Sequence, residues 1–205
     1  MRLRDIVFLV LEGYSGDGSN FDVNATAGLN DVGEPNIALK IRIDGPFNHD
    51  DLGHEIYEAV IHEMTHLGQA TFDDVGASCG LRYFTCLTES EAFASGLFAR
   101  AERTGRPVAS VIDEYLQSQV RADRLEATEA VEVRDTWLRQ IDQLDHEIEE
   151  MKRIYARDAT PKILKAIEQQ TIINEPLVYA GYPYIADIDE TDEFTIEYAI
   201  ERPPN

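Results

Sequence analysis

The spacing of apolar residues predicts two strands near the start of the chain. Residues 4–11 form a run rich in Ile, Val and Phe that is short enough for a buried strand and ends at a glycine-rich stretch. Residues 37–43 then alternate between apolar side chains on one face and residues such as Lys40 and Arg42 on the other. We interpret this second strand as half-buried and as lying at a sheet edge, where outward cations discourage pairing with another chain.

Helical spacing replaces this alternation after residue 48. Apolar residues recur every three or four positions over about residues 51–67, between candidate N-caps and Gly68, and this pattern predicts a helix. A second helix is predicted over residues 88–103, because Thr88 and Glu91 have the spacing of a capping box. The segment between the two helices is interpreted as a loop.

The second half of the chain is predicted to be mainly helical. Residues 107–157 contain no glycine and no internal proline, and they favour helix with one break near residues 119–123. A separate short helix over residues 162–171 is predicted after Pro161. Six apolar residues recur at alternating spacings of four and three, as in the seam of a coiled coil or helical hairpin. They are Trp137, Ile141, Leu144, Ile148, Met151 and Tyr155. Because the seam is short, packing within the domain is favoured over a dimer interface.

Together these elements predict an α+β fold in three parts. Residues 1–104 form a core with a short sheet and two helices, and residues 105–172 form a helical extension. Residues 173–205 form a strand-like tail around the acidic turn at residues 187–193.

Charge and composition narrow the classes of function. With 39 acidic and 18 basic residues, the chain has a formal net charge of -21, which disfavours binding to nucleic acid. No stretch has the apolar length of a membrane helix or of a signal peptide, so we expect a soluble, cytoplasmic protein with no membrane partner. Two cysteines, Cys79 and Cys86, are too few for a disulfide framework and are interpreted as free thiols.

Residues 62–66 read His-Glu-Met-Thr-His, an HExxH motif inside the first predicted helix. Positions four apart on a helix project from one face, so the imidazoles of His62 and His66 can share a cation. Zinc in a catalytic site normally takes three protein ligands and leaves one position for water, so a third ligand must come from elsewhere. Glu91, on the second predicted helix, is the favoured candidate, and Glu89 is the alternative.

The HExxH motif followed by a glutamate on a later helix resembles the gluzincin metallopeptidases. The string Glu-Ala-Phe-Ala at residues 91–94 is similar to the segment around the third ligand in gluzincin aminopeptidases and, more loosely, to the glutamate helix of the ImmA/IrrE-like peptidases. The resemblance covers residues 37–103 and implies a compact zincin-like core. It also implies that the strand over residues 37–43 is the edge along which an extended peptide binds.

The expected activity is zinc-dependent hydrolysis of a peptide bond, with one Zn²⁺ per chain. His62, His66 and Glu91 would hold the metal, and Glu63 would act as the general base that moves the proton of water to the leaving amine. The sequence shows no counterpart of the aminopeptidase motif that binds a substrate N-terminus, so an endopeptidase is favoured.

Supporting groups are predicted less specifically. A tyrosine or a histidine is expected to stabilise the oxyanion, and the tyrosines after Glu91 are Tyr115, Tyr155, Tyr179, Tyr182 and Tyr184. A carboxylate or a carbonyl is expected to accept the second N–H of each imidazole, and the candidate carboxylates are Asp73, Asp74 and Glu89.

Two alternatives stay open. The first is a catalytically silent zincin-fold structural or interaction protein, such as a complex or virion component, because about half of the chain lies outside the core. The second is a regulatory peptidase that cleaves one specific protein partner. In every case the expected partner is a peptide or protein, and the helical region is a candidate surface for a homo-oligomer.

Overall fold

The computed structural model of the chain describes residues 5–12, 20–29, 35–43, 45–69, 80–173 and 198–199. The fold is α+β, with a small sheet followed by a mainly helical region, as predicted. The chain divides into two compact units. The first unit comprises Met1–Ala59 and Arg157–Asn205 and contains the sheet; the second unit, Val60–Ala156, contains most of the helices.

The sheet of the first unit has the strand order β2-β3-β1-β4. The strands are β1 (Asp5–Glu12), β2 (Phe21–Leu29), β3 (Pro35–Ile43) and β4 (Tyr198–Ala199). β3 pairs in parallel with β1 and antiparallel with β2, and β4 pairs in parallel with β1. The two strands predicted from the apolar pattern are therefore confirmed as β1 and β3.

The prediction that β3 is an edge strand is wrong, because β2 and β1 pair with its two sides. Its alternation is as expected, with Ile37, Leu39 and Ile41 buried and Lys40 exposed. β2 follows the glycine-rich stretch after the first strand, where the apolar pattern predicts no strand. Since β3 is not an edge, the peptide-binding role that the resemblance implied for it is not available along this strand.

The helices follow the predicted apolar periodicity closely, except in three places. They are α1 (His49–Gly68), α2 (Leu81–Thr85), α3 (Leu87–Thr104), α4 (Val108–Arg121), α5 (Ala127–Ile141) and α6 (His146–Ile173). α1 and α3 confirm the first two predicted helices, and the break between α4 and α5 confirms the one expected near residues 119–123. The short helix α2 lies where only a loop was expected.

The predicted coiled-coil seam is wrong because a turn interrupts it. α5 ends at Ile141, and Asp145 begins α6 by accepting hydrogen bonds at Oδ1 from the backbone N–H groups of Glu147 and Ile148, at 2.9 and 3.2 Å. Trp137 is fully buried on α5, whereas Ile148 is 48% exposed on α6. The seam residues therefore lie on two helices and do not form one stripe.

The third difference concerns Pro161, which does not start a new helix but lies inside α6. A proline in a helix removes one backbone donor and usually bends or breaks the helix. Here the helical segments on both sides are joined, and the predicted helix over residues 162–171 is the last part of α6.

Aromatic packing holds the helices of the second unit together. The ring of Phe93, on α3, stacks on that of Trp137, on α5, with centroids 4.9 Å apart. The indole Nε1–H of Trp137 also donates a 2.8 Å hydrogen bond to the backbone carbonyl of Phe84 on α2. Because the indole ring stacks on Phe93 and its N–H is hydrogen-bonded inside the core, this cluster fixes α3 against α5 and α2.

A buried polar network crosses the same unit. The Lys152 ammonium on α6 donates to the carboxylate of Glu149 at 2.7 Å, to Thr65 Oγ1 on α1 at 2.9 Å and to Ser95 Oγ on α3 at 3.4 Å. Ser95 in turn donates to Glu149 at 2.5 Å. All four residues are buried, so the charge pair and its hydroxyl partners satisfy one another away from water.

Within the described residues, no helix is both long and apolar enough to cross a membrane. Of the predicted strand-like tail, the described part is β4, which pairs with β1, and the predicted acidic turn at residues 187–193 lies outside the described residues.

Candidate metal centre

The last turns of α1 bring the two histidines of the HExxH motif together. The imidazole rings of His62 and His66 have centroids 4.8 Å apart, and their Nε2 atoms are separated by 3.1 Å. This is the juxtaposition expected from two residues four apart on one helix. Both side chains are mostly buried, so water competes little for their nitrogens.

The first turn of α3 supplies a carboxylate to these imidazoles. Glu89 Oε2 lies 3.6 Å from Nε2 of His62 and 3.6 Å from Nε2 of His66. In the part of the chain that the structure describes, these three residues form the group able to hold a metal ion. The carboxylate that lies beside the two histidines is therefore that of Glu89, the alternative third ligand.

Glu91, the favoured third ligand, is placed elsewhere in the structure. One of its carboxylate oxygens accepts a 3.1 Å hydrogen bond from the side chain of Gln69. Its other predicted role, in a capping box begun by Thr88, is not formed either, because α3 starts one residue earlier and its N-cap, Cys86, makes no side-chain cap hydrogen bond. Glu89 and Glu91 are two positions apart, so their side chains differ by about 200° in direction around the helix and have different surroundings.

The distances in the cluster fit a tetrahedral metal site. Ligands at 2.0–2.1 Å from Zn²⁺ are about 3.3 Å from each other at the tetrahedral angle. The three separations among His62 Nε2, His66 Nε2 and Glu89 Oε2 are 3.1, 3.6 and 3.6 Å. Glu89 Oε2 is also buried and accepts no hydrogen bond. Since an unsatisfied buried oxygen is costly, a cation between these atoms would remove that cost.

The charges of the cluster perturb one another in the metal-free protein. Burial alone would raise the pKa of Glu89, but the adjacent imidazoles of His62 and His66 outweigh it and lower the pKa to about 2. Burial alone would likewise lower the pKa of His66, but Glu89, Gln69 and the charge of Glu63 outweigh it and raise the pKa. The metal-free site therefore favours a carboxylate beside an imidazolium.

This coupling predicts a pH dependence of stability without metal. The lowered pKa of Glu89, about 2 against an ordinary 4.5, contributes stability that is present above pH 4.5 and is lost as the pH falls towards 2. We expect the free energy of unfolding of the metal-free parent to fall over this range, and that of Glu89→Gln to fall less. Chemical denaturation at several pH values in a chelator measures both. Equal acid sensitivity of the two proteins would contradict the coupling.

Two other residues lie beside the cluster. Glu63, the predicted general base, is buried on α1 directly after His62, and its charge raises the pKa of both His66 and Tyr83. Tyr83, on α2, precedes Glu91 in the chain and is not among the predicted oxyanion donors. Burial raises the pKa of Tyr83 above its ordinary value, and the carboxylate of Glu89 raises it further, so its phenol stays protonated and able to donate.

Of the other predicted supporting residues, two tyrosines lie on helices and the remaining candidates fall outside the described part of the chain. Tyr115, on α4, packs its ring against Phe93 and Trp137, with centroids 5.6 and 5.8 Å away. Tyr155 lies on α6. Five candidates fall outside the described residues: Asp73, Asp74, Tyr179, Tyr182 and Tyr184. Cys79 does so as well, and Cys86 is a free thiol that donates to the carbonyl of Tyr83 at 3.3 Å.

Comparison with known proteins gives no match to a family model, to a curated protein or to a solved structure. The class that the site supports is therefore argued from the geometry of its own residues.

Proposed function

We propose that the chain is a zinc-dependent peptidase whose metal is held by His62, His66 and Glu89. The observation that carries the proposal is the convergence of two Nε2 atoms and one orphaned carboxylate oxygen at ligand-to-ligand distances, with a further carboxylate, Glu63, on the adjacent position of the same helix. Three protein ligands and a nearby carboxylate that is not one of the ligands are the donor set of a hydrolytic zinc site.

The roles of the residues follow from their positions. When bound, Zn²⁺ would supply Lewis-acid chemistry, polarising the scissile carbonyl and acidifying a water molecule. Glu63 would take the proton of the attacking water at its carboxylate and pass it to the amide nitrogen of the leaving group. Tyr83 would donate its phenolic proton to the developing oxyanion or orient the carboxylate of Glu89.

Metal content tests the ligand set directly. We expect about one zinc per chain in protein purified without added metal, measured by mass spectrometry. Glu89→Ala should hold markedly less zinc because it removes one of three ligands. Glu91→Gln is the matched control, since it removes the charge of a carboxylate on the same helix but keeps an oxygen that can accept from Gln69, and it should retain its zinc.

The opposite order of zinc contents in the two variants would overturn the assignment of Glu89 as the third ligand. If Glu91→Gln lost the zinc and Glu89→Ala retained it, the third ligand would be Glu91, as the sequence predicts. If the parent bound no zinc even when zinc was supplied at neutral pH, the proposal of a zinc enzyme would fail.

A second candidate function is a metal-stabilised interaction protein without turnover. One observation favours it: Ile148, Met151 and Ile154 are 48%, 55% and 42% exposed along one side of α6. Exposed apolar residues at helical spacing are typical of a surface that contacts a partner or a second copy. A stable oligomer by light scattering, with no cleavage of a broad peptide library, would favour this candidate. A monomer that cleaves many peptides would support the general peptidase, and cleavage of one protein alone would indicate a regulatory peptidase.

A further inference from the structure

Gln69 links the end of α1 to the first turn of α3. Its backbone N–H donates to the carbonyl of His66 at 3.1 Å, so the residue is held in the turn that closes α1. Its side chain then points back to the cluster and makes three hydrogen bonds, one to His66 and two to groups of α3. One amide thus contacts both helices that carry the proposed metal ligands.

The partners of Gln69 allow only one orientation of its amide. The amide nitrogen lies 2.9 Å from the backbone carbonyl of Thr88 and 3.1 Å from Oε2 of Glu91. A carbonyl and a carboxylate only accept hydrogen bonds, so a donor must face them. If the amide were turned over, its oxygen would lie against two acceptors and both hydrogen bonds would be lost.

That orientation determines the proton position on His66. With the nitrogen of Gln69 committed to Thr88 and Glu91, its Oε1 faces Nδ1 of His66 at 2.9 Å. Because this oxygen only accepts, Nδ1 must carry a proton. A neutral imidazole has a single N–H, so Nε2 of His66 then has a free lone pair, directed towards Nε2 of His62 and Oε2 of Glu89.

We propose that Gln69, held by Glu91 and the Thr88 carbonyl, is a positioning residue that fixes His66 in the tautomer able to bind a metal through Nε2. The inference rests on the proposed metal site but not on peptidase turnover. The proposal also explains the position of Glu91. Its carboxylate accepts a hydrogen bond from Gln69, which in turn contacts the ligand His66, so Glu91 orients an amide and does not touch the metal. A neutral amide, and not a carboxylate, therefore accepts the N–H of this ligand.

The experiment compares Gln69→Met with the parent. Methionine keeps the length and volume of the side chain but can neither accept from His66 nor donate to Glu91. We expect zinc affinity, measured by competition with a chromophoric chelator, to fall about 10–100-fold, as is usual when a hydrogen-bond partner of a metal ligand is lost. Gln143→Met, in the exposed turn between α5 and α6, is the matched control and should keep the parent affinity.

A second readout follows the tautomer itself. Long-range ¹H–¹⁵N NMR of the metal-free protein, at alkaline pH where the imidazole is neutral, distinguishes a proton on Nδ1 from one on Nε2. The parent should show His66 with the proton on Nδ1, and Gln69→Met should show a mixture of both forms. A merely structural role of Gln69 would leave this spectrum unchanged.

Glu91 variants extend the test one step along the chain of hydrogen bonds. Glu91→Gln keeps an oxygen that can accept from Gln69 and should stay near the parent, whereas Glu91→Ala should shift the tautomer in the direction of Gln69→Met. If Gln69→Met failed to fold by far-UV circular dichroism, Glu91→Ala would decide by the same two readouts. Parent-like zinc affinity and an unchanged His66 tautomer in the deciding variant would overturn the inference.

The test of Gln69 as a positioning residue can be distinguished from the test of peptidase activity. A parent that binds zinc but cleaves no peptide would remove the peptidase and leave the positioning role to be judged by affinity and tautomer. A parent that binds no zinc would remove the metal site, and the inference that rests on it would be overturned with it even if the tautomer were as expected.

Discussion

Replacing Glu63 by glutamine is expected to lower the rate of peptide hydrolysis by about 10²–10⁴-fold, the usual contribution of a general acid–base group. Zinc content should stay at the parent level, because Glu63 is not one of the three residues whose ligand atoms converge. Glutamine has the size of glutamate but cannot take a proton from water. Steady-state cleavage of a fluorogenic peptide library, together with metal analysis of the same samples, measures both effects.

The matched control is Glu132→Gln, which makes the same chemical change at an exposed position of α5. It should keep parent activity and zinc. Full activity in Glu63→Gln would rule out the proposed proton transfer. Loss of zinc together with activity would instead show that Glu63 takes part in holding the metal.

Replacing Lys152 by methionine is expected to destabilise the protein by about 3–5 kcal/mol. The variant keeps most of the side-chain volume but removes the cation that faces the carboxylate of Glu149, at 2.7 Å and away from water. A buried carboxylate without a partner is costly, and Thr65 and Ser95 also lose a donor. Urea denaturation followed by circular dichroism measures the change in the free energy of unfolding.

Two further variants make this test specific. Lys165→Met, at an exposed position of the same helix, should change the stability by no more than about 0.5 kcal/mol. Combining Lys152→Met with Glu149→Leu should recover a large part of the loss, because removing both charges removes the unpaired carboxylate. A stability of Lys152→Met equal to that of the parent would contradict the prediction.

Much of the fold can be predicted from the sequence because its strands and helices have regular spacings of apolar residues. The alternation around Lys40 and the helical spacing over α1 reflect one-sided burial, and both elements form as expected. β2 was missed because its residues that pair with the buried face of β3 include Ala25 and Ala27, which carry little apolar signal. The seam prediction failed because Leu144 continues the apolar spacing through a turn that Asp145 ends.

In the site too, contacts between residues close in sequence could be predicted, whereas contacts between different helices could not. The pairing of His62 and His66 depends only on the pitch of one helix, so a motif is enough to predict it. The choice between Glu89 and Glu91 depends on the rotation of α3 about its own axis when it packs against other helices, through residues such as Phe93. Gln69 has no motif of its own, because its partners lie 19 and 22 residues later in the chain.

The aromatic cluster of the second unit gives the protein an intrinsic optical probe. Trp137 is the single tryptophan of the chain, and its ring stacks on Phe93, whose own ring lies 4.6 Å from that of His62. Its fluorescence therefore reports on the unit that carries the candidate metal centre, through one intervening ring. Circular dichroism records the helices of both units, so a difference between the two signals during denaturation would show that the units unfold separately.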